Sequence, residues 1–366
     1  MTDASRPLAR LAQDLLARDS LDHRLHLVFG DCSIRMDSNS AGLVEQLRRY
    51  YAGFVHRREW TDIRITALEA PPLEPELALA PKEPDPGKTK VKEEFVEQGD
   101  LRLVRKRLTG MCFIFGADLH LAAGPCVANA NQVVNFINSR HIQWLLDRGG
   151  LLFHAAGVCG ESGGLALAGF SGSGKSTLAL HLMSRGVNFV SNDRLVVRRG
   201  GAELTMYGVA KLPRINPGTA LNNPHLAQVI PQPERRRFAS LPADDLWSLE
   251  HKYDAHLDQC FGPDRFQLAA PLKGLVVLNW RREPQALHAR RVDLRERPDL
   301  MAAFMKSPGL FYQPAAGADP DFSPPAYQRL LADCPVYEFG GGVDFAAAAE
   351  TCLDLVAPLR HAARRA

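Results

Sequence analysis

The sequence predicts an α/β protein: one large domain built on a mixed sheet, preceded by a small α+β unit. Three observations carry this. Strand and helix signals alternate from about residue 99 to the C-terminus, as they do in α/β chains. The glycine-rich run "GFSGSGKS", Gly169 to Ser176, lies between a short apolar strand and a helix. Between the two parts, residues 71–98 are crowded with Pro, Lys and Glu and poor in aromatics, too polar to order around a core. The expected division is a small α+β unit over 1–70, a linker over 71–98 and the large domain over 99–366.

In the first part, apolar residues recur at alternate positions from Leu25 to Met36 ("LHLVFGDCSIRM"), which reads as a strand or hairpin around Gly30. Ser40 then caps a helix whose Leu43, Leu47, Tyr50 and Phe54 share one face, and "DIRITAL" supplies a further strand. After the linker, "LRLVRKRLTGMCFIFGADLHLAAG" alternates like paired strands. "NANQVVNFINSRHIQWLLDRGG" carries a helical stripe of Val133, Ile137, Trp144 and Leu145, closed by Gly149 and Gly150. "LLFHAAGV" and "GLALAG" are short strands joined by the turn "CGESG". Further on, "LKGLVVLNW" is a buried strand and "DFAAAAETCLDLV" an Asp-capped helix.

At 366 residues, with 46% hydrophobic and 23% charged residues, the chain can bury a substantial core and is neither fibrous nor wholly disordered. A formal net charge of +3 gives no reason to expect nucleic acid. No apolar run approaches the ~20 residues of a bilayer crossing, and the charged N-terminus has no signal-peptide core, so a cytoplasmic chain without membrane contact is expected. The 7 cysteines include no C-x-x-C pair and predict buried, reduced thiols rather than disulfides or a zinc site. A homo-oligomer stays open.

Gly169–Ser176 fits G-x-x-x-x-G-K-[ST], the loop whose backbone N–H groups wrap a nucleotide's phosphates. Gly169, Gly172 and Gly174 allow the tight turn and the close approach, and Ser171, Ser173 and Thr177 complete the expected binding set. Lys175 would reach the β- and γ-phosphates, and the Ser176 hydroxyl would ligate Mg²⁺. "KSTLALHLMSRG" continues as a helix, so the anion also meets a helix N-terminus. ATP and Mg²⁺ are therefore the expected cofactors.

Motor ATPases place a second metal-binding acid after a later apolar strand, but "GLVVLNW" ends in Asn279 and Trp280, which argues against that class. The nearer acid is Asp193, after "VNFV". Were that strand the loop strand's parallel neighbour, ~4.8 Å away, Asp193 could reach the Mg²⁺ or accept a proton from an attacking hydroxyl. "SNDR" is equally a natural β-turn, in which Asp193 needs no chemical role. His154 reads as a core histidine or as a group near the γ-phosphate or metal. Lys211 and Arg214 lie in the Gly/Pro-rich turn "YGVAKLPRINPGTALN", which by itself reads as a plain surface turn.

The stretch "LLFHAAGVCGESGGLALAGFSGSGKSTLALHLMSRGVNFVSNDRLVV" resembles the HPr kinase/phosphorylase family and its looser relatives, which share a P-loop fold with phosphoenolpyruvate carboxykinase. The resemblance covers roughly residues 100–360. Its pattern is a His on the hairpin before the loop, the loop, a helix ending in Arg-Gly, and an acidic pair after the next strand. Here these are His154, Gly169 to Ser176, Arg185 with Gly186, and Asn192 with Asp193. The resemblance implies a PEP-carboxykinase/HPr-kinase-like domain, and a Gly…Ala-Lys stretch similar to that after the acidic pair of carboxykinases implies that Lys211 and Arg214 meet phosphate or an acidic substrate. It also implies an acidic pair split between a proton acceptor and a metal-binding acid. Asn192 stands in the first place, and an amide takes no proton at neutral pH, so the base is Asp193, His154 or a group from elsewhere. This weighs against the family's reverse phosphorylase activity.

The leading expectation is thus an ATP- and Mg²⁺-dependent phosphotransferase acting on a hydroxyl, such as a serine of a protein or peptide. Lys175, Asp193 and His154 would be catalytic, Ser176 and Asp193 would hold the metal, and Asn192, Lys211 and Arg214 would lie near substrate. A small-molecule acceptor and a non-catalytic nucleotide-binding regulator, the latter suggested by Asn192, are the alternatives.

Overall fold

The computed structural model describes residues 7–84, 89–249, 251–315 and 317–356. The chain is a mixed α/β protein in two units: one runs to Asp147 and takes in Pro308–Pro320, the other spans Arg148–Ser307 and resumes at Asp321. Among the described residues no helix is long and apolar enough to cross a membrane. All the cysteines are buried and none forms a disulfide, as expected of small, largely apolar side chains.

The first unit is an eight-stranded sheet among the described residues. His23–Phe29 and Cys32–Ser38 form the hairpin around Gly30, and Ile63–Glu69 pairs parallel to the second of them. Ile63–Glu69 then pairs, Thr66 opposite Leu121, with His120–Gly124. The strands Leu101–Lys106, Cys112–Phe115 and His120–Gly124 therefore extend this sheet instead of belonging to the loop domain, because Ile63–Glu69 is an inner strand whose second edge they satisfy. The stretch read as a linker contains strands Ala80–Pro81 and Glu93–Gln98. Its charges act across strands: Glu94 accepts from Arg105 at 2.6 Å, and Glu93 pairs with Lys106. Residues 85–88 lie outside the described residues. Ala41–Tyr50, capped by Ser40 as expected, and Ala130–Leu146 pack on one face of the sheet, and Pro7–Leu16 covers part of the other.

The second unit is built on a forked sheet. Gly163–Gly169, buried at every position, leads into the glycine-rich loop. It pairs antiparallel with Ala155–Gly160 and parallel with Ala269–Leu278, Gly169 standing opposite Leu278. Ala269–Leu278 is the fork. Its Leu275–Leu278 end pairs parallel with Val336–Gly340, whereas Ala269–Pro271 pairs with Glu203–Tyr207, which continues to Leu195–Gly200 and Leu151–Phe153. Helices Lys175–Met183 and Phe345–Val356 pack together beside the loop strand through Leu178, Ala179, Ala348 and Cys352.

One expected pairing is corrected. Asn188–Ser191 is not the loop strand's neighbour: it pairs antiparallel with Ala155–Gly160, which lies between them. Two antiparallel steps restore the direction, so the strand still ends on the same sheet edge as the loop, two strand spacings or roughly 10 Å away. The segment after Glu203–Tyr207 passes directly over it. Gly208 makes this possible, since a Cβ there would fall 1.8 Å from the Val190 carbonyl oxygen. Gly208→Ala is expected to destabilise the protein by about 1–3 kcal/mol. Gly160→Ala, with nothing within 4 Å of its Cβ, is expected to stay within about 0.5 kcal/mol of wild type. Urea unfolding of the two variants checks this, and equal midpoints would contradict the close crossing.

Candidate functional site

The glycine-rich loop forms between the strand and the helix that its pattern requires. Gly172 and Gly174 take positive φ angles of 79° and 89°, open to glycine and strained for other residues. Gly174 opens the helix Lys175–Met183, and a Cβ on it would meet the Phe345 ring at 2.6 Å. The loop is closed by Ser173 N–H donating to the Phe170 carbonyl at 3.1 Å and braced by the Trp280 indole N–H donating to the Ser173 carbonyl at 2.8 Å. Trp280 meets Phe345 edge-on at 5.2 Å. The residues read as the missing acid position thus have other work: Trp280 holds the loop, and Asn279 donates to the buried Glu338 at 2.7 Å.

Lys175 is buried and turns back to donate to the carbonyls of Gly169 at 2.7 Å and Phe170 at 3.3 Å. Burial brings its pKa down to about 8, with Asp193 acting in the opposite sense and Lys306 adding to the fall. Ser171 is exposed and Ser176 half-buried at the helix start. Thr177 shares its hydroxyl with Thr219 at 2.8 Å, tying the helix to the segment that follows Arg214. The Ser173 hydroxyl is buried with no hydrogen-bond partner among the described residues.

His154 and Asp193 come together because the chain changes branch of the forked sheet at both residues. Leu151–Phe153 pairs with Leu195–Gly200, and Ala155–Gly160 pairs with Asn188–Ser191. Phe153 stands opposite Leu195, so the bend at His154 and the turn at 192–194 lie side by side. His154 Nε2 is 3.0 Å from Asp193 Oδ1, and its backbone N–H is held by the Phe304 carbonyl at 2.7 Å.

Two cations reach the other carboxylate oxygen of Asp193: Lys306 Nζ at 3.8 Å and Arg194 Nε at 4.0 Å. Desolvation opposes the Asp193 carboxylate, but the His154 hydrogen bond and the charges of Lys306, His154 and Arg194 outweigh it and hold its carboxyl well below the usual range. The Asn192 side-chain oxygen is buried and unpartnered among the described residues. Val209 N–H donates to the Ser191 hydroxyl at 3.4 Å, which sets the segment beyond Gly208 beside this turn. Lys211, on that segment, has its pKa lowered by burial and then by Arg194 and Arg214, with Asp193 also in electrostatic reach. Arg214 pairs with Asp254 at 3.4 Å on the short strand Arg214–Ile215.

The structure therefore gathers His154, Asp193 and Arg194 in contact, with Lys175 and Lys211 within their field, and gives Arg214 a partner of its own. Lys306 is the site residue that sequence reading missed; "FMKSPG" carries no motif, and its place follows from the bridge between Phe153 and Met305. Among the described residues no three His, Cys, Asp or Glu side chains gather into a cation cage. Nucleotide-bound Mg²⁺ needs only one or two protein oxygens beside the phosphates, and the Ser176 hydroxyl and the ionised Asp193 are donors of that kind.

No family model matches the chain, and no curated protein matches it. Among solved structures, the chain is similar to the HPr(Ser) kinase/phosphatase from Coxiella burnetii, at 12% identity and a TM-score of 0.28, over 56% of this chain and 93% of that one. A likeness of that extent is too slight to carry fold or activity across.

Proposed function

We propose that the chain is an HPr kinase-related phosphotransferase, dependent on ATP and Mg²⁺, that transfers the γ-phosphate to a hydroxyl, foremost a serine of a protein or peptide. The observation that supports this most is the His154–Asp193 pair, 3.0 Å apart, delivered to the same sheet edge as the glycine-rich loop. The loop N–H groups and Lys175 would hold the phosphates, and Ser176 and Asp193 would hold Mg²⁺, which when bound offsets phosphate charge. A carboxylate kept ionised by cations is a good metal ligand and a poor base. Asn192 has no basic atom. The acceptor's proton therefore falls to His154, whose Nδ1 carries the lone pair when Nε2–H is given to Asp193. Arg194, Lys211 and Lys306 supply positive charge where the transferring group is most negative. A small-molecule hydroxyl is the alternative acceptor. A nucleotide-binding regulator is the second reading, favoured by Asn192 standing where a proton acceptor would be.

Lys175→Ala is expected to lower transfer of label from γ-labelled ATP to extract components by about 10²–10³-fold with the fold intact. His154→Ala is expected to lower it by about 10²–10⁴-fold while ATP binding persists. Full transfer by Lys175→Ala would remove the site assignment, and ATP binding without transfer by the wild type would favour the regulator.

The Asp193 carboxyl also gives a pH signature. Its folded pKa is depressed, so its contribution to stability is present above the unfolded value of about 3.9 and is lost as pH falls below it. Wild type should lose more stability than Asp193→Asn on acidification through that window, as read by urea unfolding. Parallel losses would show that the cations around Asp193 do not hold it.

A further inference from the structure

The first unit's sheet presents a basic face that its own helices leave uncovered. Successive strand residues point to opposite faces. Leu25, Leu27, Ile34 and Ile65 are buried on the face that carries Ala41–Tyr50 and Ala130–Leu146. The opposite face divides in two. Where the helix Pro7–Leu16 lies on it, the outward positions are Leu68, Leu103, Ile114 and Leu121. Where that helix does not reach, they include Arg24, His26, Arg35 and Arg64, none of them fully buried, beside Val28, Thr66 and the buried Ser33 and Asp37.

Register sets His26 opposite Arg35 and Arg35 opposite Arg64, a basic row across three strands. Like charges placed directly opposite weaken a sheet, so the row is a burden on the isolated fold. Arg57 adds to it: His26 has its pKa lowered by burial first and then by Arg57, Arg24 and Arg35. Neutralisation is sparse. Asp37 alone serves both Arg24, at 2.7 Å, and Arg35, at 2.8 Å, and Arg57 and Arg64 form no ion pair among the described residues. At the hairpin end, Arg58 is bonded to the carbonyls of Gly30 and Asp31 and lies over the ring of Trp60, which is 54% exposed.

We propose that this face is a docking surface for an extended, carboxylate-rich segment of a partner protein. Guanidinium groups engage carboxylates through two parallel hydrogen bonds, and Arg and Trp are the side chains that most often anchor protein interfaces. Acidic residues at alternate positions of an extended segment would supply the counter-charges that the row lacks. A polyphosphate backbone fits less well: Asp37 stands within the face, and the whole chain carries a formal charge of only +3, whereas affinity for nucleic acid grows with the number of cations in contact.

The test is fluorescence anisotropy of the full chain with a short labelled peptide of alternating Glu and Ser at low salt. The variant is Arg57→Glu with Arg64→Glu, whose side chains hold no ion pair in the fold. Saturable binding by wild type is expected, with affinity at least about tenfold lower in the variant. A matching Lys and Ser peptide should prefer the variant. Thermal unfolding and ATP binding of the variant confirm that it is folded, and the pair Arg57→Gln with Arg64→Gln replaces it if it is not. Absence of saturable binding, or equal binding by wild type and variant, overturns the proposal. So does tighter binding of a short single-stranded DNA that the same substitutions abolish, which would assign the face to nucleic acid.

Discussion

The sheet of the second unit forks at Ala269–Leu278, and the chain crosses between its branches twice, at His154 and at residues 192–194. With Phe153 paired to Leu195 and Gly157 to Ser191, the two crossings are fixed side by side by backbone hydrogen bonds. An imidazole and a carboxylate placed on those crossings must meet. The neighbouring features depend on the same geometry. Lys306 reaches Asp193 because Met305 bridges to Phe153, and Lys211 faces the turn because Gly208 lets its segment run against Val190.

Electrostatics then decides what the meeting can do. Asp193 is surrounded by His154, Arg194 and Lys306, and its depressed pKa makes it a permanent negative charge at neutral pH. Lys175, by contrast, is buried with only loop carbonyls to receive its ammonium, and burial pulls its pKa to about 8. A desolvated cation beside backbone N–H donors is relieved by an incoming anion. Lys211 is likewise shifted down by burial and then by Arg194 and Arg214, so under the proposed function it adds a desolvated positive charge on the Asp193 side of the transferring phosphoryl group.

The glycine-rich loop was legible because each of its residues answers to a backbone requirement: positive φ at Gly172 and Gly174, a helix starting at Lys175, a strand ending at Gly169. The sheet edge at which Asp193 emerges was legible too, although through the wrong neighbour. Direction along a strand survives the insertion of Ala155–Gly160, whereas adjacency does not. Residues whose position rests on distant pairing were illegible. Lys306 has no local pattern. The strands at 101–124 alternate like any hairpin, and only the free edge of Ile63–Glu69 tells which sheet takes them. The charged stretch before them reads as solvated because cross-strand partners such as Arg105 for Glu94 lie outside any local window.

The central claim is that Asp193 serves a nucleotide-bound metal while His154 serves the acceptor. Calorimetric titration of ATP with and without Mg²⁺, into wild type, Asp193→Asn and His154→Ala, tests it most directly. The account predicts that Mg²⁺ strengthens ATP binding to wild type and to His154→Ala, and that Asp193→Asn loses most of that gain. An equal Mg²⁺ dependence in all three proteins would contradict it, leaving the His154–Asp193 pair a structural link between two crossings of the sheet.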